Sequence, residues 1–514
     1  MDAVQLEIFR QLFASIAEEM GVTLMRSAFS PNIKERRDFS CAIFDASGEM
    51  VSQAAHIPVH LGSTPLSVRA AIEEVDMGSD GHAVLNDPYR GGTHLPDITF
   101  VSPVVGPEGQ VRFYVANRAH HSDVGGISPG SLPLSTHIDD EGIRIPPSRW
   151  SPERLREITE ASRTPQERRG DLQAQLAANM RGRRRLEQQI ERHGAQVWSA
   201  AEQLQDYSER FMGEMLRDFP EGEWRFEDLL DGDGFGNDDL SIRCRVALSE
   251  GKATVDFSGT DPQTKGPVNA PRAVTLSAVL YVFRSLAAEE MPSNGGYMRC
   301  VEVETEPGTL VHAEYPAPVA VGNVETSQRI TDVVFGALAE VLPDRIPAAS
   351  CGSMNNVMVG GIDRRRRDDR TFTYYETIAG GSGAGPGYEG TDAIHTHMTN
   401  TLNTPIEALE NAYPFRVESY RLRRGSGGTG EHEGGAGVVR SYGFDSPATV
   451  TLMTERRRRG AWGLRGGGDG EPGRNVLVHD GEEHVLEPKC TVDVEAGDEI
   501  RVETPGGGGW GEEG

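Results

Sequence analysis

The chain has 514 residues, 37% of them hydrophobic and 25% charged, which is too long for one core and predicts two to four globular domains. Its 78 acidic against 51 basic residues leave a formal charge of −27. That argues against nucleic acid as a partner, because such affinity comes from basic residues neutralising phosphates; no apolar run approaches the ~20 residues of a membrane helix either.

The five cysteines (Cys41, Cys244, Cys300, Cys351, Cys490) are scattered, odd in number and without a CxxC pair. They exclude a disulfide framework and a thiolate zinc site. Lysine occurs only at positions 34, 252, 265 and 489, so the positive charge is almost all arginine. Such a composition suits a high-salt cytoplasm, where self-repulsion is screened; a GC-rich genome that favours arginine codons is the alternative.

The opening stretch "MDAVQLEIFRQLFASIAEEMG" sets Leu6, Phe9, Leu12, Phe13, Ile16 and Met20 at helical spacing. Without a basic leader it reads as an acid-rich amphipathic helix, and a cytoplasmic location is expected. "CAIFDASGEMVSQ" predicts a hairpin with Gly48 in the turn. Strand-forming runs follow at Ile98 to Val105 and Val111 to Val115, and residues 1–150 read as an α+β domain. Residues 151–220 turn helical, with Ser151 as the cap before Pro152 and apolar residues at Leu172, Leu176, Met180, Leu186 and Ile190. The basic run Arg181–Arg185 reads as a solvated helix face rather than an anion site. A second α+β domain is expected over 221–345, including the helical stretch "AVTLSAVLYVFRSLAAEE". Residues 346–514 read as a glycine-rich, β-rich domain. The expected class is therefore α+β: multidomain, mixed β-sheets, a helical segment and a glycine-rich C-terminal part.

Chemistry concentrates in "RGGTHLPDITF" and "NRAHHSDVGG", which hold His94, Asp97, His120, His121 and Asp123 beside glycines 91, 92, 125 and 126. The spacing is HxxD and then HHxD, not two histidines on one helix face, so the ligands would converge from separate loops at strand ends. Two histidines with one or two carboxylates and an open position form a usual hydrolytic metal site. Asp38 and the pair His56 and His60 lie upstream. Any one of these histidines could equally be a hydrogen-bonded structural residue; the clustering favours the metal. The segments "GGSGAGPGYEG" and "GSGGTGEHEGGAG" lack the Gly-Lys-Ser/Thr of a phosphate loop and read as tight turns between strands. There is no GxSxG elbow and no activated cysteine.

With those residues in hand, the chain resembles the hydantoinase B family, which belongs with the 5-oxoprolinases and acetone carboxylases. The resemblance rests on "RSAFSPNIKERRDFSCAIFD", "HIPVHLGS", "NDPYRGGTHLPDI", "NRAHHSDVGGISPGS", "DFSGTDPQTKGPVN", "PAPVAVGNVETSQRITDVVFGAL" and "DAIHTHMTNTLNTPIEALE", in that order. It implies a B-type subunit that carries a divalent metal (zinc, manganese or iron). A separate A-type subunit would use ATP to phosphorylate the carbonyl of a small cyclic amide, and the metal-carrying chain would complete the opening of the ring as part of a hetero-oligomer. It also implies Asp38, His94 and His121 as metal ligands, with His120 the rival for the third place. Asp97 and Asp123 would be further ligands or carboxylates that fix the imidazoles, and His120, Asp97 and Asp123 the catalytic candidates. One departure is "RRGSGGTGEHEGG", where Gly425 stands in place of the family's aspartate. A ketone carboxylase component and a non-catalytic scaffold are the alternatives.

Overall fold

The computed structural model describes residues 1–54, 57–288, 291–365 and 369–514; His56 lies outside the described residues. Asp2 caps the first helix, α1 (Ala3–Ser27), by accepting from the Gln5 amide, while the Gln5 side chain accepts from the Asp2 amide. Phe9, Phe13, Ile16 and Met20 are buried along one face, as their spacing predicts, with Leu6 and Leu12 at its margin. A short helix, α2 (Pro31–Lys34), leads into the expected hairpin of β1 (Phe39–Asp45) and β2 (Met50–Gln53), with Gly48 at φ 82° in its turn.

Helix α3 (His60–Glu74) and strands β3 (Ala83–Leu85), β4 (Asp97–Val105), β5 (Val111–His120) and β6 (Ser148–Arg149) complete a six-stranded sheet. Its order is β2-β1-β5-β4-β3-β6, and every pair is antiparallel. Side chains alternate between its faces. Ala42, Phe44, Val101 and Ala116 pack in the apolar cluster that holds Leu61 and Val68 of α3. Cys41, Ile43, Phe113 and Val115 pack in the cluster that holds Phe13 of α1.

Three helices follow: α4 (Pro152–Ala161), capped by Ser151 as expected, α5 (Pro165–His193) and α6 (Gln196–Arg217). Helix α5 lies against α1 and across β4 and β5. The arginine run on α5 is ion-paired: Arg181 and Arg185 to Glu19, Arg183 to Asp80 and Glu187. A second sheet, β10-β9-β8-β7, uses β7 (Gly222–Gly232), β8 (Asp238–Ser249), β9 (Lys252–Asp256) and β10 (Val301–Glu304), with β9 and β10 parallel. Helices α7 (Arg272–Leu286) and α8 (Gly295–Met298) lie between β9 and β10 in the chain. A π-helical turn at Gly322–Thr326 then runs into α9 (Ser327–Ala339), which is buried throughout.

The C-terminal part contains β11 (Asn356–Asp363), β12 (Arg370–Glu376), α10 (Ile406–Ala412), β13 (Phe415–Arg423), β14 (Gly437–Phe444), β15 (Ala448–Met453), β16 (Arg474–His479), β17 (Glu482–Leu486), β18 (Lys489–Val494) and β19 (Glu499–Glu503). They form two sheets, β12-β11-β15-β18 and β13-β14-β19-β16-β17. The class is α+β with four open sheets, their strand pairs antiparallel except for β9 with β10. The largest apolar cluster runs from Ala42 to Met453, with residues from all four sequence segments.

The glycine-rich segments hold turns, as at Gly387 and Gly425 (φ 84° and 76°), but much of their length lies backbone against backbone, which the reading as tight turns did not include. A Cβ on Gly381 would fall 1.7 Å from the Gly435 carbonyl oxygen, and one on Gly434 would fall 2.0 Å from that of Gly507. Gly435 N donates to Ser382 O, Gly507 N to Gly435 O and Gly428 N to Gly507 O, at 2.9, 3.0 and 2.9 Å. Only residues without side chains permit that spacing, so the glycines are chosen for close approach.

Candidate metal centre

The site begins with a turn that must be tight. Asp87 Oδ1 accepts from the Tyr89 amide at the start of a single 3-10 turn, and Gly91 follows at φ 85°. A Cβ on Gly91 would meet the α3 backbone at Ser67 N, 2.6 Å away. The chain therefore passes directly over α3 before it delivers His94 and then Asp97, the first residue of β4. Asp97 pairs in register with His120, the last residue of β5. Cross-strand partners share a face, so the carboxylate and the imidazole meet at the sheet's end on the α3 side.

The resulting group is His94, Asp97 and His120, all buried. His94 Nε2 is 3.1 Å from His120 Nδ1 and 3.3 Å from Asp97 Oδ1, and His120 Nδ1 is 3.2 Å from the same oxygen. The other oxygen, Oδ2, accepts from Thr93 Oγ1 at 2.5 Å and faces His60 Nε2 at 3.4 Å, while His60 Nδ1 meets Ser40 Oγ at 2.8 Å. Among the described residues, Asp97 Oδ1 and His120 Nε2 have no hydrogen-bond partner.

Neighbouring groups orient these side chains. His94 Nδ1 faces the Ala320 carbonyl at 3.1 Å, which requires the proton on that nitrogen. The Ala320 and Val319 amides donate to Glu141 Oε1, as does Ser135 Oγ. Asn323 Nδ2 lies 3.1 Å from His94 Nε2. The His120 ring stacks on Tyr375 at 4.6 Å, and the Arg36 guanidinium lies 4.7 Å from the same tyrosine ring.

The electrostatics follow from burial opposed by contact. Burial disfavours charge on Asp97, yet the charge of His94 and the close approach of the His120, His60 and His94 rings hold its carboxyl well below the usual range. Burial likewise opposes protonation of His94, but the charge and hydrogen bond of Asp97 outweigh it and keep that imidazole above its usual value. For His120 burial wins and the pKa is lowered. Burial raises Glu141 to about 8, so this carboxyl is neutral at pH 7.

The residues named from sequence separate into two groups. His94, Asp97 and His120 converge. Asp38 is buried nearby: its carbonyl accepts from the His120 amide at 3.0 Å, and its charge adds to the raising of His94 and partly offsets the lowering of His120 by burial. His121 does not converge. One residue beyond His120, it points to the α5 side, where Nε2 meets Gln175 Oε1 at 2.9 Å. Burial and the charge of Arg168 lower its pKa to about 3. Asp123 is also elsewhere, paired with Arg163 at 3.1 Å and accepting from the Arg163 amide. Asn323, Glu141 and Tyr375 escaped the sequence reading. They come from distant segments, and the only available signal, "GNVETSQ", carries no spacing that points to His94.

Two imidazole nitrogens and a carboxylate oxygen suit zinc, manganese or iron, and His94 Nε2, His120 Nδ1 and Asp97 Oδ1 stand as close to one another as the donors around one such ion.

The chain is similar to several known proteins. The family described as Hydantoinase B/oxoprolinase matches residues 2–513. The chain is 38% identical over 99% of its length to 5-oxoprolinase 1 of Arabidopsis thaliana, of which it spans 42%. It is 30% identical over 99% of its length to a Pseudomonas protein named as the putative B-type component of a D-/L-hydantoinase, spanning 90% of that protein. Among solved structures it resembles an ATP-dependent caprolactamase from Pseudomonas jessenii, with a TM-score of 0.92, 28% identity and coverage of 100% and 91% of the two chains.

Proposed function

The chain belongs to the hydantoinase B/oxoprolinase family, and from that premise we propose that it is the metal-bearing subunit of an ATP-dependent cyclic amide hydrolase. The observation that carries this reading is the convergence of His94 Nε2, His120 Nδ1 and Asp97 Oδ1 within 3.1–3.3 Å of one another. A ring amide resists hydrolysis until its carbonyl oxygen becomes a leaving group. The partner, an A-type subunit, would supply that step by phosphorylation from ATP. The similarity to a protein named as one component of a hydantoinase supports the division of labour. So does the length of the Arabidopsis 5-oxoprolinase, most of which lies outside the matched region.

A divalent ion held by His94, Asp97 and His120 would lower the pKa of water toward neutrality and polarise the ring carbonyl. The chain's own residues do the rest. Ala320 O fixes the His94 tautomer, so that Nε2 carries the lone pair. Thr93 and His60 engage one oxygen of Asp97 and leave the other free. The stacked Tyr375 ring sets the plane of His120 and excludes water from that side.

Elemental analysis of the purified chain tests the site: wild type and His121→Ala should carry about one ion per chain, and His94→Ala and His120→Ala should carry little. Retention by His94→Ala, or loss in His121→Ala alone, overturns the assignment. Mixing the chain with an A-type subunit, ATP and hydantoin or 5-oxoproline should yield ring-opened product, and the chain alone should yield none. ATP-dependent carboxylation of a ketone by the pair would favour the carboxylase reading.

A further inference from the structure

Asn323 sits on the five-residue π-helical turn, and its side chain is as near His94 Nε2 as is His120. We propose that Asn323 is a further metal ligand, binding through Oδ1 after its carboxamide turns over. The proposal rests on the metal reading of His94, Asp97 and His120.

The first ground is position. Nδ2 lies 3.1 Å from His94 Nε2, closer than the Asp97 oxygen at 3.3 Å. An ion on the Nε2 lone pair would therefore stand within reach of this amide. The second ground is polarity. Because His94 Nδ1 donates to Ala320 O, the neutral ring offers a lone pair at Nε2, and without an ion that lone pair calls for a donor. Asn323 presents its NH2 group there, which leaves Oδ1 buried with no partner among the described residues. An ion on Nε2 reverses the requirement, since an N–H directed at a cation is repelled and a carbonyl oxygen is attracted. The terminal amide torsion is broad and roughly two-fold, and its two ends have nearly the same shape. A half-turn brings Oδ1 to the ion without moving the backbone.

The third ground is that the backbone carrying Asn323 is held in place. The Val321 and Gly322 amides both donate to Pro267 O, and Thr326 Oγ1 donates to Val268 O. A Cβ on Gly322 would fall 1.9 Å from Asn269 O, so the π-turn packs flat on that segment. π-Helical turns inside helices recur at functional sites, because the extra residue redirects a side chain. Here the redirected side chain is Asn323. A second oxygen donor makes the set two imidazoles and two oxygens, which moves its preference from zinc toward manganese or iron.

The test uses the whole metal-free chain and Mn²⁺ alone, with free ion followed by its magnetic resonance signal. Asn323→Leu keeps the shape and removes the oxygen, and should weaken Mn²⁺ roughly tenfold or more. Asn323→Asp restores an oxygen and should bind at least as tightly as wild type. Leucine-variant affinity within about threefold of wild type overturns the proposal, as does an Asp variant that falls as far as the Leu variant. Wild type that takes up no ion overturns the underlying metal reading instead. Uptake abolished by His94→Ala but unchanged by Asn323→Leu overturns Asn323 alone.

Discussion

Glu141 shows how a single buried carboxyl ties pH to stability. It is fully buried, accepts from Val319 N, Ala320 N and Ser135 Oγ, and is raised by burial to about 8. Its value in the unfolded chain is the ordinary one, near 4.5. The folded state therefore binds the proton more tightly. Its stabilising effect is fully present below the unfolded pKa and is lost as pH rises toward the folded pKa. Glu141→Gln mimics the neutral acid and removes this slope. The melting temperature of the variant relative to wild type should thus rise between about pH 5 and about pH 8. A constant difference across that range would show that Glu141 is charged in the folded protein. The side chain's identity was visible in the sequence, but its neutrality was not, because burial is set by tertiary packing, as its contacts with Val319 and Ala320, 178 and 179 residues away, show.

At the scale of elements, the helices and strands followed from local pattern. The α1 stripe, the Gly48 hairpin and the Ser151-Pro152 cap each rest on contacts within a few residues. The strand starts near Ile98 and Val111 were legible, and with them the HxxD and HHxD segments, but β5 runs five residues past the expected Val115, so Asp97 and His120 sit on paired strands rather than in loops. What pattern left open was which of two adjacent histidines faces the site. The register of β4 on β5 decides it, since Asp97 pairs with His120 and alternation sends His121 to Gln175. The glycine-rich segments show the same limit. Gly434→Ala would push a methyl into the Gly507 carbonyl and should destabilise by about 1–3 kcal/mol or more, as overpacking does. Gly213 in α6 is a control, with its nearest contact at 3.6 Å. There alanine should stabilise the helix by roughly 0.5–1 kcal/mol. Thermal melting of both variants checks the contrast; equal, small effects would mean that the glycine layers can separate.

For the whole molecule, the charge of −27 with four lysines sets the response to salt. Many arginines are committed to local ion pairs, as where Arg299 holds Glu49, Asp206 and Glu209. The excess acid is left to repel itself. Screening weakens exposed pairs but weakens the net repulsion more, so the melting temperature should rise from about 0.05 M to about 2 M salt. A flat profile would leave codon usage as the reason for the arginine-rich composition. Composition, periodicity and turn residues by themselves determined the α+β class, the main helices and the two histidine- and aspartate-bearing segments, because each depends on neighbours in sequence. Tertiary structure alone decided that His120 rather than His121 joins His94 and Asp97, that Asn323 and Glu141 stand behind them, and that the glycines interlock. Those outcomes depend on strand register and on contacts between segments hundreds of residues apart, which no local spacing records.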